Sequence, residues 1–149
     1  MKKVLLLFAL AFFASNATFA QLNPVKWSYE AKKVADNEYD LVFTAHVNDG
    51  WYIYSQTLES DMGPIPTSFN WEEATDLEKI GDTKEDGLKH EGYDEIFDMN
   101  VVKYSGHPTF TQRVKISKPT NLSVFVEYMT CDKNRCLPPT EIEAKFSLQ

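Results

Sequence analysis

YDLVFTAHV (residues 39–47) places an apolar side chain at every second position. The repeating residues are Tyr39, Leu41, Phe43, Ala45 and Val47. Successive side chains of an extended strand point to opposite faces, so a period of two predicts a strand with one face in a core. An amphipathic helix would instead need apolar residues every three or four positions. The segment therefore favours a β-protein.

The same period recurs on both sides of this segment, at residues 25–31, 110–116, 122–128 and 142–148. Turn-forming stretches rich in Asn, Asp, Gly and Pro separate these runs, and no run holds a helical period over three turns. Short alternating strands joined by such turns are typical of two packed antiparallel sheets. We predict an all-β, immunoglobulin-like antiparallel β-sandwich.

The middle of the chain, residues 72–100, is less regular, more acidic and interrupted by glycine. Alternation is hard to follow there, which is typical of loops and of strands with little buried surface. We expect short strands and at least one functional or flexible loop in this region.

The first twenty residues have the build of a secretory signal peptide, with two lysines before an apolar run and small residues at the end. We predict a signal peptide at 1–20 and a single domain at 21–149, exported to the periplasm or another extracytoplasmic compartment.

Loss of 1–20 leaves 13 basic and 22 acidic side chains, a formal charge of −9. This charge argues against a nucleic-acid partner. No membrane-spanning segment is expected in the mature chain, and we expect a monomer.

Cys131 and Cys136 are the two cysteines of the chain. Thiols outside the cytoplasm tend to pair, so a disulfide between them is the expected oxidised state. A bond closing about six residues gains only about 2 kcal/mol in the chain-entropy model. Lys133 and Arg135 lie between the cysteines and would favour thiolate over thiol. These observations leave open whether the disulfide is a redox centre or a structural link in an exposed hairpin.

A metal centre is not predicted. His46, His90 and His107 lie far apart in the sequence and show no ligand-type spacing, and the cysteines are better used as a disulfide. Nothing in the chain calls for an organic cofactor.

Three segments resemble one known family, in the same order and at compatible spacing. They are NDGWYIYSQ (48–56), HEGYDEIFDMNVVKY (90–104) and VEYMTCDKNRCLPPTE (126–141). They are similar to an aromatic strand, an acidic-aromatic cap loop and a cysteine hairpin in the amino-terminal periplasmic domain of DsbD-type thiol-disulfide interchange proteins. This family is also described as the disulfide bond corrector domains.

The resemblance implies an immunoglobulin-like fold whose cysteine pair shuttles between dithiol and disulfide, as one component of a protein-disulfide reductase system. Electrons would come from a membrane-embedded or thioredoxin-like partner and pass to periplasmic oxidoreductases. By position, Cys136 corresponds to the attacking sulfur and Cys131 to its resolving partner. Tyr52 and Tyr54 correspond to tyrosines beside the pair.

The resemblance also assigns Phe97 to a cap that shields the disulfide. Asp94 and Glu95 precede it, and their charges would discourage an approaching thiolate. Phe97 could instead be a core residue of a short strand, and the two tyrosines could serve only to pack the sheet.

Two features depart from the family. The cysteine spacing is one residue shorter than in its best-known members, which puts in doubt which sulfur is exposed. The chain also lacks the transmembrane conduit and the carboxy-terminal thioredoxin-like domain of full DsbD-type proteins, so we expect its reductant on another polypeptide.

Two functions of different classes therefore compete. The first is thiol-disulfide interchange through Cys131 and Cys136. The second is a secreted immunoglobulin-like binding module with a permanent disulfide and exposed aromatic residues, such as Trp51 and Trp71, that contact a ligand. A reduction potential would separate them, since structural disulfides typically lie below about −300 mV.

Overall fold

In the computed structural model, which describes residues 22–59 and 62–149, nine β-strands form two antiparallel sheets. The strands are β1 (Val25–Ala35), β2 (Glu38–Val47), β3 (Tyr52–Tyr54), β4 (Ser68–Trp71), β5 (Leu77–Asp94), β6 (Met99–Ile116), β7 (Thr120–Tyr128), β8 (Thr130–Cys131) and β9 (Thr140–Leu148). The predicted all-β, immunoglobulin-like sandwich is confirmed. The predicted signal peptide lies outside the described residues. Within them, no helix has the length and apolar character needed to cross a bilayer.

The larger sheet has six strands and is organised around β6. Its path runs β1-β2-β6-β3-β8, and β5 pairs with β6 along the opposite edge. β2 pairs with the second half of β6 and β3 with the first half, so both lie on the same side of this long strand. The smaller sheet has three strands in the order β4-β7-β9.

The main core lies between the two sheets and uses the alternating face that the sequence predicts. All five repeating residues of 39–47 are buried. The ring of Phe43 lies 4.8 Å from that of Phe69 in β4 and 5.5 Å from that of Phe146 in β9, measured between centroids. These contacts join the larger sheet to the smaller one. Burial of such rings is the dominant favourable term for a domain of this size.

The prediction of short strands between residues 72 and 100 is wrong. β5 and β6 instead form one long hairpin, closed by a turn at residues 95–98. β5 is an edge strand that pairs only with β6, and most of its side chains are exposed on both faces. Its register with β6 also shifts twice, between Ile80 and Lys84 and between Asp86 and Leu88. Alternation is therefore absent from its sequence, although the strand is continuous.

Gly87 occupies the second of these irregular sites. Its φ is 149°, and a Cβ atom there would lie 2.8 Å from Cα of Pro108 on the paired strand. Glycine is the residue that allows this close approach of two backbones.

Candidate functional site: the cysteine hairpin and its cap

Cys131 and Cys136 form a disulfide with an S–S distance of 2.02 Å. Cys131 ends β8 and makes an isolated antiparallel bridge to Cys136. Two backbone hydrogen bonds close the hairpin, from Asp132 N to Arg135 O at 2.9 Å and from Leu137 N to Thr130 O at 2.9 Å. As the sequence predicts, the cysteines lie at the two ends of one hairpin.

This hairpin belongs to the larger sheet, although the strands before and after it belong to the smaller one. β7 and β9 pair with each other, and the chain between them crosses over to pair β8 with β3. Tyr52 is the register partner of Cys131, and Thr130 Oγ1 donates a hydrogen bond to Tyr52 O at 2.9 Å. The disulfide is thus anchored at the edge of the larger sheet, beside the tyrosine strand.

The two cysteines differ in exposure. Cys131 is 1% exposed, whereas Cys136 is half-buried. A nucleophile from another protein must reach a sulfur atom along the S–S axis, so this difference in burial bears on which cysteine a partner could attack.

A small apolar cluster, here called the disulfide cluster, surrounds the cysteines apart from the main core. Its buried members are Tyr54, Val101 and Cys131, and its partly buried members are Leu58, Phe97, Met99, Met129 and Cys136. Phe97 lies in the turn between β5 and β6, and its ring meets that of Tyr54 edge-on at 5.8 Å between centroids. The structure therefore places Tyr54 and Phe97 in one cluster with the two cysteines.

Tyr54 is fully buried, and its hydroxyl has no hydrogen-bond partner among the described residues. Burial raises the pKa of this phenol, and the charge of Asp94 raises it further. Tyr54 therefore stays neutral at every pH at which the domain works. Tyr52 lies two residues before Tyr54 on the same face of β3, and its ring meets that of His90 edge-on at 5.2 Å.

The two acidic residues before Phe97 have different surroundings. Glu95 is exposed, but Asp94 is buried and forms an ion pair with Lys103, at 2.7 Å between Oδ2 and Nζ. The other oxygen of Asp94 accepts a hydrogen bond from Ile96 N at 3.0 Å. Burial and the ion pair with Lys103 reduce the charge that Asp94 can present to an approaching thiolate.

The cations of the hairpin are partly offset by an acid in the same loop, which sequence reasoning missed. Asp132 Oδ1 accepts hydrogen bonds from Asn134 N at 2.7 Å and Arg135 N at 2.9 Å. The first of these bonds is the main reason that the pKa of Asp132 lies below its usual value. Arg135 Nε lies 3.6 Å from Asp132 Oδ2. An Asp that opens a short polar turn commonly bonds the backbone two residues on, so the sequence does contain this signal.

Lys133 is exposed, and the Arg135 guanidinium lies 5.9 Å from the centroid of the Trp51 ring. With Asp132 counted, the loop between the cysteines carries a net charge of about +1 at neutral pH instead of +2. The positive charge near the two sulfur atoms is therefore smaller than the two cations alone would give.

Trp51 and Trp71 are half-buried and pack against the main core. Lys79 Nζ also lies 5.5 Å from the centroid of the Trp71 ring. Neither residue is the freely exposed aromatic that the binding-module hypothesis requires.

The fold brings together two histidines that are distant in the sequence. His46 Nδ1 lies 3.2 Å from His107 Nδ1, because β2 and β6 are neighbours. His90 lies elsewhere, hydrogen-bonded to Ser105 at 2.8 Å. Within 22–59 and 62–149, no three His, Cys, Asp or Glu side chains converge to hold a metal ion.

Comparison with known proteins agrees with this geometry. The chain matches the family model described as "Thiol:disulfide interchange protein DsbD, N-terminal" over residues 20–148. No curated protein matches the chain.

Two solved structures show the same fold. The reduced DsbD n-terminal domain of Neisseria meningitidis is 20% identical, with a TM-score of 0.54 over 81% of this chain and 84% of that one. The N-terminal periplasmic domain of ScsB from Proteus mirabilis is 14% identical, with a TM-score of 0.62 over 86% of this chain and 48% of that one. A complex between the DsbD and PilB N-terminal domains of N. meningitidis also matches, at 18% identity over 80% of each chain, with a TM-score of 0.49.

Proposed function

The chain belongs to the family of DsbD N-terminal domains, and from this premise we propose that it is an extracytoplasmic thiol-disulfide interchange protein. Cys131 and Cys136 would carry two electrons between partner oxidoreductases, as a component of a protein-disulfide reductase system. Its partners would be thioredoxin-like or membrane-embedded redox proteins, and the exchange needs no organic cofactor. The periplasmic description of the similar P. mirabilis domain supports a site of action outside the cytoplasm.

The exchange runs through a mixed disulfide. In the reduced domain, the Cys136 thiolate attacks one sulfur of a partner disulfide, and the partner's other sulfur leaves as a thiolate. The Cys131 thiolate then attacks Cys136 Sγ, which re-forms the intramolecular disulfide and releases the partner as a dithiol. Domain and partner exchange two electrons and two protons in total. Reduction of the domain by a donor follows the same steps in reverse.

One observation carries this proposal: the half-buried Cys136 is bonded to a fully buried Cys131. A partner can reach the first sulfur, while the second stays within the fold, in position to resolve the adduct. A bond that closes so short a loop contributes only about 2 kcal/mol in the chain-entropy model, so a purely structural role would gain little.

Trapping of a partner tests the two sulfur roles. Each single variant, Cys131→Ser and Cys136→Ser, is reduced and mixed with a thioredoxin-like domain of periplasmic type that lacks its own second cysteine and carries the first as a mixed disulfide with thionitrobenzoate. Cys131→Ser should accumulate a mixed disulfide, because the resolving thiol is missing, and Cys136→Ser should trap none. Equal trapping by both variants, or trapping by neither, would count against the proposal. Non-reducing gels and intact-mass measurement provide the readout.

A further inference from the structure

We propose that Lys103 is a positioning residue that fastens the turn at 95–98, here called the cap turn, over the disulfide. It does so through its ion pair with Asp94. The inference deepens the proposed function and rests on it, since a shielded disulfide matters only if the cysteines exchange electrons. The fastening itself depends on the contacts of Lys103 within the domain and needs no partner.

The ion pair lies at the base of the cap turn. Asp94 ends β5, and Lys103 projects from β6, with 2.7 Å between Oδ2 and Nζ. The side chain of Asp94 is 4% exposed and that of Lys103 is 25% exposed. The other ion pair near the end of this hairpin, Lys89 with Glu91, has side chains that are 50% and 66% exposed. Water screens such surface pairs strongly and an enclosed pair much less, so the Asp94 pair has the geometry to hold the chain in place.

Asp94 also restrains the cap turn directly, through a hydrogen bond. Its Oδ1 accepts the backbone N–H of Ile96 at 3.0 Å, which fixes the first bend of the turn. Phe97 is the next residue, and its ring contacts Tyr54 at 5.8 Å between centroids. Asp98 completes the turn in the left-handed conformation, with φ of 55°. The ring that packs in the disulfide cluster therefore follows closely after the anchored carboxylate in the chain.

Lys103 also contacts the strand beneath the cap. Its Nζ lies 4.7 Å from the centroid of the Tyr52 ring, a cation–π contact. Tyr52 is the register partner of Cys131, and Tyr54 is the register partner of Lys103. One ammonium group thus joins the cap turn to the strand that holds the disulfide.

An alternative role for Lys103 predicts the opposite change in the rate at which the disulfide is reduced, so the two roles can be distinguished. A cation near a disulfide attracts an anionic thiolate, so its removal should slow reduction if charge is what matters. If Lys103 fastens the cap, its removal should speed reduction, because the cap turn spends more time open. The sign of the change in rate decides between the two.

The experiment measures reduction of the Cys131–Cys136 disulfide by dithiothreitol at a fixed thiolate concentration, followed by alkylation and mass. Lys103→Met, which keeps the length of the side chain, should speed reduction at least about fivefold, equivalent to about 1 kcal/mol at 25 °C. Lys103→Arg should restore a rate close to that of the wild type. Lys89→Met is the matched control, since it removes one cation from the same hairpin, and its rate should stay within about twofold of the wild type.

Phe97→Ala provides a second readout that a general structural effect would not reproduce. If Lys103 acts through the cap, adding Lys103→Met to Phe97→Ala should give no further increase in rate. A full additional increase in the double variant would overturn the proposal. So would an unchanged or slower rate for Lys103→Met alone.

Loss of Lys103 leaves a buried carboxylate unpaired, which lowers stability by itself. The double variant Asp94→Asn, Lys103→Met removes this charge and keeps an oxygen that can accept the Ile96 N–H. The disulfide of this variant should be reduced faster than that of the wild type, while its denaturant midpoint stays similar. A wild-type reduction rate in this variant would overturn the fastening role. Because dithiothreitol is the only reductant, failure of the trapping experiment with protein partners would leave these rates interpretable.

Discussion

The main core and the disulfide cluster differ in how they are closed. The main core lies between two sheets, and its aromatic rings interlock from both sides, as Phe43 does with Phe69 and Phe146. The disulfide cluster is smaller, with three buried members, and the turn residue Phe97 packs against it as a partly buried ring in contact with Tyr54. The proposed redox site therefore lies apart from the main core. A turn can open while the sandwich stays folded, because local opening costs less than global unfolding.

The largest effect should come from the main core. Phe43→Ala removes a fully buried ring that joins the two sheets, and such substitutions typically cost about 3–5 kcal/mol. The measurement is a denaturant melt followed by tryptophan fluorescence. Under conditions where the variant is still fully folded, its disulfide should be reduced by dithiothreitol at close to the wild-type rate. A loss of stability below about 1 kcal/mol would show that the two sheets do not depend on this ring.

For Phe97→Ala we expect the opposite result: a small loss of stability and a faster reduction of the disulfide. The ring is only partly buried, so we expect a stability loss of about 1 kcal/mol or less and a severalfold faster reduction of the disulfide by dithiothreitol. Ile96→Ala is the matched control, because Ile96 lies in the same turn but is 42% exposed and outside the cluster. Equal acceleration by both variants, or an acceleration fully explained by lost stability, would make Phe97 an ordinary packing residue.

The smallest effect should come from Asp132, within the cysteine hairpin. Its pKa in the folded protein lies below the ordinary value of 3.8, chiefly because Asn134 N donates to its carboxylate. A carboxyl with a depressed folded pKa adds stability that is present above its unfolded pKa and is lost as the pH falls through the folded pKa. Asp132→Asn keeps an accepting oxygen and removes only the charge.

Denaturant melts of wild type and Asp132→Asn at pH 7 and at pH 3 or below measure this contribution. The wild type should be slightly more stable at pH 7, and the difference should shrink below about pH 4. A difference that is unchanged over this range would show that the charge of Asp132 does not support the hairpin.

The sequence predicts the sandwich because most of its strands bury one face. The alternating residues of 39–47 and 142–148 define β2 and β9. The cysteine hairpin is predicted by the family resemblance of residues 126–141. The same reasoning does not predict β5, because an edge strand with two exposed faces shows no alternation of apolar and polar residues. β5 is held by its backbone hydrogen bonds to β6, and the sequence of β5 alone does not reveal that partner.

The site is predictable to a similar extent. Tyr54, Phe97 and both cysteines come from the family resemblance, and the structure brings them together. Lys103 escapes prediction because its role depends on a partner across the hairpin, and a lysine on a strand usually signals solvent exposure. The enclosure of Asp94 escapes prediction for the same reason. Pairing of charges across a turn follows from register, which the irregular segment 72–100 does not reveal.

The reduction potential of the Cys131–Cys136 pair tests the central claim most directly. The domain is equilibrated with dithiothreitol redox buffers, and the oxidised fraction is read by alkylation and mass. A working thiol-disulfide interchange protein should have a potential more oxidising than about −300 mV, within reach of extracytoplasmic and thioredoxin-like partners. A potential below about −300 mV would place the bond among structural disulfides and would contradict the proposed electron relay.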